Sequence, residues 1–386
     1  MKNIVLLSTA DWDNPFWTNK QHVACELVRL GHKVLYIDSL GLRRPSASKQ
    51  DINRIFNRLI KALRHPRQVR PNLWVWSPIV IPFQNYKFVQ YLNKVLLQLG
   101  LKFWMWRLNF NSEVFWTYNP MTLRFFNIDS FPTAIYHCVD DITAQPGMPV
   151  NEIREAENEL VTRVSTCFVT SESLLSMHKD KNPRTYYFSN VADYNHFSQS
   201  RLPETQIPDD ISNISKPIIG FVGAISGYKV DFGLLREMAS SHPDWSIVLI
   251  GKIGEGDPWT DVTALKDLNN VIFLGPKDYQ TLPNYMKAFD VAILPSLLNE
   301  YTKSMFPMKF YEYLAAGLPV VSTALHSLEK YEGLVYLAKT NEDFIFGVEK
   351  ALRDGNFNLE ERLACAKEQT YEHRTKKMFD IITSNT

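Results

Sequence analysis

Cysteine is scarce and scattered: the chain has four, Cys25, Cys138, Cys167 and Cys365, and no two stand in a CxxC pair. That argues against a disulfide framework or a zinc site written into the spacing, and it suits a reducing compartment. No apolar run reaches the roughly eighteen residues that would span a bilayer. The opening "NIVLLST" is followed by Asp11 and Asp13, so it reads as a first strand rather than as the apolar part of a secretory leader. No GxGxxG opens a helix after that strand, which argues against a nicotinamide-dependent oxidoreductase. No internal repeat is visible beyond two similar halves. An apolar content of 45% over 386 residues is that of a globular chain too long for one core, so two domains are expected.

Net charge is only +1, but it is unevenly spread. Residues 1–110 hold seventeen Lys and Arg against five Asp and Glu, and the rest of the chain carries the opposite excess. Residues 43–70 supply nine of those cations with a single acid, and Ile52, Ile55, Phe56, Leu59, Ile60 and Leu63 recur at helical spacing. A short helix with one cationic and one apolar face lies well on an anionic membrane surface; it can equally pack on its own domain with a solvated basic side. Residues 86–110, "YKFVQYLNKVLLQLGLKFWMWRLNF", mix aromatics with Lys and Arg as interfacial segments do, or form a helix of the core. No recognised nucleic-acid-binding motif accompanies the basic face, so nucleic acid is not an expected partner.

Along the chain, "NIVLLST", "NKQHVACELVRL" ended by Gly31, and "HKVLYIDS" make a βαβ unit. Further strands are expected at "LWVWSP", "EVFWTY", "TAIYHCV" and "TCFVTS", with a Glu-rich helix at 151–164. A polar stretch rich in Pro and Ser follows, after which the alternation restarts at "PIIGFVG". The expected division is an N-terminal domain at 1–195, a linker at 196–216, a C-terminal domain at 217–356 and a helical tail at 357–386 that packs back toward the first domain. Both domains read as α/β, doubly wound sheets. The carboxyl ends of two such sheets around a shared cleft are where chemistry is expected.

The stretch "FPMKFYEYLAAGLPVVS", 306–322, carries the sharpest signal. Pro307 suits the first turn of a helix, and Gly317 ends that helix before Pro319. A helix N-terminus offers unpaired N–H groups to an anion, and Lys309 adds a full charge. Glu312, three residues on, shares the face and can accept hydrogen bonds from a ribose diol. The pair therefore reads as a grip on a nucleoside diphosphate, or as an i,i+3 ion pair of a surface helix.

This stretch closely resembles the nucleotide-sugar motif of GT-B glycosyltransferases. "GFVGAISGYKVDFGLL", "WSIVLIGK", "VIFLGPKDYQTLPNYMKAFDVAILP" and "NEYTKSMFP" follow in the order and spacing of that family. The resemblance covers nearly the whole chain and is closest to bacterial enzymes of surface-polysaccharide assembly, the teichuronic-acid-type transferases and the xanthan glucuronosyltransferase among them. It implies two Rossmann-like domains facing across a cleft. It gives Glu312 the ribose, Lys309 the diphosphate, and Gly223 a close approach to the phosphates, where no Cβ blocks the ligand. Lys252 joins the donor side, Pro276 and Lys277 present backbone to the base, and Met308 lies against the nucleotide or fills the core. Many retaining members carry a second glutamate where this chain has Ser304; Glu300, Tyr301 and Thr302 are nearby candidates to reach the sugar. The substitution favours inversion mildly.

Asp140 and Asp141 follow a buried strand in "TAIYHCVDDITAQPG". One of them, Asp140 by preference, is expected as the base for an acceptor hydroxyl, and the resemblance agrees; the bland alternative is a helix cap. His137 of the same strand either contacts the sugar or is a satisfied core residue. Trp12, Asp13 and Trp17 in "STADWDNPFW" border the acceptor or fill the loop. Asp11 and Asp13 form a "DWD", but Lys309 and a helix terminus already supply countercharge, so no metal and no cofactor beyond the nucleotide-sugar cosubstrate is expected. The expected activity is transfer to a lipid-linked or polysaccharide acceptor by a cytoplasmic protein peripheral on the inner face of the plasma membrane. A sugar-nucleotide epimerase of the same fold and a noncatalytic membrane-bound scaffold are the alternatives.

Overall fold

The computed structural model describes residues 1–14, 17–41, 65–81, 86–355 and 357–384. It divides into one unit of residues 1–188 with 375–386, and a second of residues 189–374. The first holds strands β1 (Asn3–Leu7), β2 (Lys33–Ile37), β3 (Arg67–Arg70), β4 (Leu73–Trp76), β5 (Val114–Thr117), β6 (Thr133–Cys138), β7 (Thr166–Val169) and β8 (Thr185–Tyr187). Their order is β3-β4-β2-β1-β5-β6-β7-β8, parallel except for β3, which runs antiparallel on β4 at the sheet edge. The second unit holds β9 (Ile218–Val222), β10 (Ser246–Ile250), β11 (Val271–Gly275), β12 (Val291–Leu294), β13 (Val320–Thr323) and β14 (Tyr336–Ala338). Here the order is β11-β10-β9-β12-β13-β14, all parallel. Both sheets thus reverse direction of growth beside their first parallel strand, the doubly wound order in which ligands meet the carboxyl ends at the switch point.

The strands are apolar on both faces because helices cover both. In the first unit Leu7, Leu35, Phe115 and Tyr136 face one layer with Leu97, Leu101 and Leu160. Leu6, Tyr36, Trp116 and Phe168 face the other, with Val23, Leu27, Met378, Phe379 and Ile382. The alternation follows the period of two. The last helix, Tyr371–Thr383, is thereby divided: from Thr375 on it belongs to the first unit, and Phe379 stacks on His32 at 4.1 Å between ring centroids.

The expected linker is structured. Residues 196–216 belong to the second unit, whose boundary falls at Ser189, and they include the turn Ser198–Arg201 and the helix Asp209–Ser212. Polar composition suggested a tether, but those polar groups find partners: Lys287 Nζ donates to Leu202 O at 2.6 Å, Lys277 Nζ meets Asp210 at 2.6 Å, and Arg201 Nε donates to Ala315 O at 3.2 Å. The tail is also split, since residues 357–374, including the helix Leu359–Glu368, belong to the second unit.

Residues 43–64 of the expected basic amphipathic helix lie outside the described residues, whereas Arg67–Arg70 form β3 instead of continuing a helix. Residues 87–107 are one helix of 21 residues. Asn93, Leu97, Leu101 and Met105 line its buried side, while Phe88 (70% exposed), Tyr91, Leu99, Phe103 and Trp106 (73%) remain exposed. Among the described residues no helix is long and apolar enough to cross a membrane.

Candidate functional site

The site in the second unit is built on the carboxyl ends of β9 to β12. Gly223 follows β9 and its N–H donates to Ile250 O at 2.9 Å; Gly251 follows β10 and donates to Gly275 O at 3.0 Å. A Cβ on Gly251 would stand 1.7 Å from Gly223 O, so only glycine lets these two strand ends close on each other. Gly275, with φ +69°, then turns the chain into Pro276. A Cβ on Gly223 would stand 2.9 Å from the Phe221 ring, whereas one on Gly275 would meet nothing within 4 Å.

Beyond them lies the helix Met308–Ala315. Pro307 occupies its N-cap position rather than its first turn, and Gly317, with φ +80°, ends it as the sequence suggested. Asn190 Nδ2 donates to Phe306 O at 2.6 Å, fixing the entry. The exit is held by Arg201 Nε on Ala315 O and by Ser200 Oγ on Ala316 O at 3.3 Å. Tyr313, fully buried, accepts from Val222 N–H at 2.8 Å, which ties the helix to the end of β9. This anchor was not foreseen, because a tyrosine in an apolar helix reads as core filling.

Lys309 and Glu312 form a direct ion pair, as the bland reading of their spacing had it, but not on an open surface. Glu312 is only 3% exposed, and burial pushes its carboxyl above the usual carboxylate range, with the Lys309 ammonium pulling the other way. The Lys309 ammonium lies 5.7 Å from the Phe197 ring centroid, and His196 stacks on Tyr279 at 4.5 Å. Met308 stands half-buried at the first helical position. The neighbourhood therefore combines one helix N-terminus, one ammonium and one enclosed acceptor, the set that suits a diphosphate joined to a diol.

The loop after Gly223 adds a cation that sequence reading missed. Lys229 lies 5.2 Å from the Tyr228 ring and 5.0 Å from the Tyr301 ring, on a loop joined to the end of β12 by Leu297 N–H on Lys229 O at 2.9 Å. Its signal was the "GYK" that follows the first strand of the unit. Lys252 is exposed, and its backbone O accepts from Ile225 N–H at 3.1 Å. Lys229 and Lys252 together oppose the effect of burial on Glu255, whose carboxyl is pushed up.

The other expected donor residues fall into two groups. Tyr301 is buried against Tyr228, Ser304 is buried, and Thr302 is buried with its hydroxyl donating to Leu297 O at 2.6 Å, so Thr302 locks its own loop. Glu300 is exposed and meets Lys303 at 3.9 Å. Pro276 is exposed, while the Lys277 side chain is spent on Asp210, leaving its backbone as the part that can face a base.

In the first unit, Asp140 and Asp141 follow β6 as expected. Asp141 is a cap: Oδ1 accepts from Thr143 N–H at 2.9 Å and from Thr143 Oγ1 at 2.5 Å. Asp140 is half-buried, and its backbone O accepts from Cys138 Sγ–H at 3.6 Å. Below them Tyr136 O–H donates to Glu157 at 2.5 Å. Two expectations fail here. His137 is fully buried among Trp116, Tyr118 and Phe168, with no surface for a sugar. Trp12 is buried in the core against Tyr36, its backbone N–H donating to Asp38 at 2.7 Å. Both are large rings on or beside an apolar strand, where burial outweighs contact with solvent. Asp13 pairs with Arg67, and the half-buried Trp17 ring takes Arg70 at 5.6 Å.

Among the described residues, the group with metal-ligand spacing is Cys138, Glu157 and His178, with ligand atoms within 4.8 Å of one another. Its carboxylate already accepts from Tyr136 and, at 3.7 Å, from Cys138, which is the chemistry of a buried hydrogen-bonded acid. Asp11 and Asp13 are not part of such a group.

Residues 216–354 match the family described as glycosyl transferases group 1. A glycosyltransferase of Bacillus subtilis (strain 168) assigned to teichuronic acid biosynthesis, TuaH, is 32% identical over 213 residues, 52% of this chain and 51% of that protein. The match thus spans about half the length of that relative. Among solved structures, Anabaena HepE in complex with UDP is similar over 100% of both chains, at 14% identity and a TM-score of 0.65. WaaG, a glycosyltransferase involved in lipopolysaccharide biosynthesis, covers 98% of this chain and 99% of its own at 14% identity and 0.65. Trehalose-6-phosphate synthase OtsA covers 99% of each at 10% identity and 0.70. Residues 216–354 therefore resemble the group 1 glycosyl transferases, and the fold of the chain is that of the GT-B glycosyltransferases.

Proposed function

We propose that the chain transfers a sugar from a UDP-sugar to a lipid-linked or polysaccharide acceptor at the cytoplasmic face of the membrane. The observation that carries this reading is the enclosed Lys309–Glu312 pair at the N-terminus of the Met308–Ala315 helix, inside the matched domain. UDP leaves as an anion, and the helix's leading N–H groups, the Lys309 ammonium and Lys229 stabilise the charge as it develops. Nucleotide binding exchanges the Lys309–Glu312 contact for two new ones, Lys309 to the diphosphate and Glu312 to the ribose. Support for UDP comes from the HepE complex.

Asp140 takes the proton of the acceptor hydroxyl as its oxygen attacks the anomeric carbon, and the electron pair of the breaking bond leaves with UDP, inverting the configuration. The capping role of Asp141 supports this choice between the two. Countercharge from side chains and backbone means that transfer proceeds without a metal ion. Activity survives excess EDTA; its complete loss there overturns this part.

The membrane reading rests on the basic front of the chain and on the helix Lys87–Arg107, which has four cations, no acid and a row of exposed aromatics. Co-sedimentation with anionic vesicles is expected, and a protein left wholly in the supernatant removes it.

The donor reading is tested by thermal shift with UDP, GDP and dTDP, since a ligand preferring the folded chain raises its melting temperature. UDP is expected to raise it most, and Lys309→Ala with Glu312→Ala to abolish the shift. An unchanged shift in that double variant overturns the grip.

A further inference from the structure

The edge of the second sheet holds a cavity of about 520 Å³ that the transfer reaction does not use. It is lined by the first residues of β13, by β14 and by the helices Asn341–Asp354 and Leu359–Glu368. Pro319 and Val320 on its wall lie at the amino end of β13, whereas the donor grip lies at the carboxyl ends of the strands.

Arg362 forms part of this wall and is 2% exposed. Its Nε, Nη1 and Nη2 have no hydrogen-bond partner among the described residues, and no carboxylate there forms an ion pair with it. The neighbouring Tyr336 does not serve it as an acceptor in the structure: its O–H donates to Asp354 at 3.1 Å, and Asp354 pairs with Arg353 at 3.5 Å. A guanidinium carries five donors in a planar fork that matches a carboxylate or phosphate, and enclosing it without an acceptor is strongly unfavourable. Lys339 and Lys350 line the same cavity, the Lys350 ammonium 5.3 Å from the Tyr336 ring. Glu332 and Asp343 also line it, so the wall holds three cations against two acids, with acceptors left for hydroxyl groups. Two largely exposed rings, Phe346 and Phe357, complete it. Aromatic faces suit the apolar side of a sugar ring, and the volume falls within the usual range for small-ligand pockets.

We propose that this cavity is a second ligand site, which binds a saccharide bearing a phosphate or carboxylate group, with Arg362 taking the anion and the two phenylalanines the ring. The site is separate from the donor grip, and it does not depend on the chain being a transferase.

The test is a melting-temperature titration of the full chain, held in saturating UDP so that the donor grip is filled. The probes are glucose 6-phosphate, glucuronate, inorganic phosphate and, as the neutral control, glucose. At least one anionic sugar is expected to raise the melting temperature by several degrees, and glucose to leave it unchanged; glucose 6-phosphate and glucuronate together tell which anion is preferred. Arg362→Met removes an unpaired buried charge, so it is expected to melt higher than the parent in probe-free buffer and to lose the anionic shift. Should Arg362→Met not fold, the surface variant Lys350→Glu with Phe346→Ser is expected to raise the half-saturating probe concentration at least tenfold. The inference is overturned if no anionic sugar shifts the parent, if inorganic phosphate or glucose acts as well as the anionic sugars, or if the variants keep the parent's response. Neither variant is expected to change the UDP shift, so loss of this site and loss of the donor reading give different results.

Discussion

The two sheets share one winding order but finish differently. In the second unit β9, β10 and β11 end in or run into Gly223, Gly251 and Gly275, and the next feature beyond is a helix N-terminus with a lysine. In the first unit the corresponding ends carry side chains: Ser8 after β1, Asp38 after β2, Asp140 and Asp141 beyond β6. Those groups are laced to their own unit, Tyr36 O–H donating to Ser8 at 2.7 Å and Asp38 accepting from Trp12 N–H and from Ser77. One sheet therefore ends in glycines beside a helix N-terminus, and the other in placed acids. A shared fold fixes where a ligand meets the strands, and the residues at those ends decide which chemistry it meets.

The sharpest way to break this contrast is at the acids. Asp140→Ala is expected to lower kcat about 1,000-fold, within the range for loss of a general base, with the KM for the UDP-sugar and the melting temperature nearly unchanged. Asp141→Ala should do the reverse: it removes a cap worth about 1 kcal/mol and lowers the melting temperature by a few degrees, with less than a tenfold change in kcat. Steady-state kinetics and calorimetry on both variants read this out, and equal loss of kcat in the two would erase the distinction.

A smaller effect is expected at the ion pair. On the proposed function, Lys309→Met is expected to lower kcat/KM about 100-fold, by loss of countercharge to a departing diphosphate. It also leaves Glu312 enclosed without its partner, a loss of about 3 kcal/mol in stability. Lys309→Met with Glu312→Leu should recover most of that stability and none of the UDP binding. Denaturant unfolding beside a UDP titration separates the two roles; a double variant that still binds UDP would mean the pair only holds the helix.

Next comes the strand-end contact. Gly251→Ala places a methyl where Gly223 O stands and is expected to cost about 2 kcal/mol, the size of a forced overpacking, and to weaken UDP binding as the two ends separate. If UDP binding is untouched while stability falls, the glycines serve closure of the sheet and not the ligand.

What the sequence disclosed follows the same contrast. In the second unit the signals are backbone signals: Pro307 and Gly317 bracket the Met308–Ala315 helix, and glycine at 223 marks a strand end, so its boundaries and half of its site are written locally. In the first unit the expected site depends on which side chains stay at the surface, and that is set by packing from distant segments. Trp12 is covered through Tyr36 and Asp38, and β3 and β8 are too short to show a period of their own. The stretch 196–216 misled for a related reason. Its Pro and Ser content is that of a tether, yet Arg201, Leu202 and Asp210 meet partners from residues 277–315, a pairing no local window contains.

The smallest effect concerns His137, and it probes the first unit's core. Imidazole at 137 has ring neighbours on three sides, Tyr118 at 4.7 Å, Trp116 at 5.9 Å and Phe168 at 6.1 Å between centroids, and no exposed surface. A histidine that touched substrate would need an open edge and would shape the pH profile through its ordinary range near pH 6.5. A histidine that fills space is replaceable by another ring of similar volume. His137→Phe is therefore expected to change stability by less than about 1.5 kcal/mol and to leave both kcat and its pH dependence within twofold of the parent. A pH profile that loses one limb in this variant would return His137 to the reacting groups and make β6 the bearer of a base–imidazole pair, in place of an acid standing on a sealed strand.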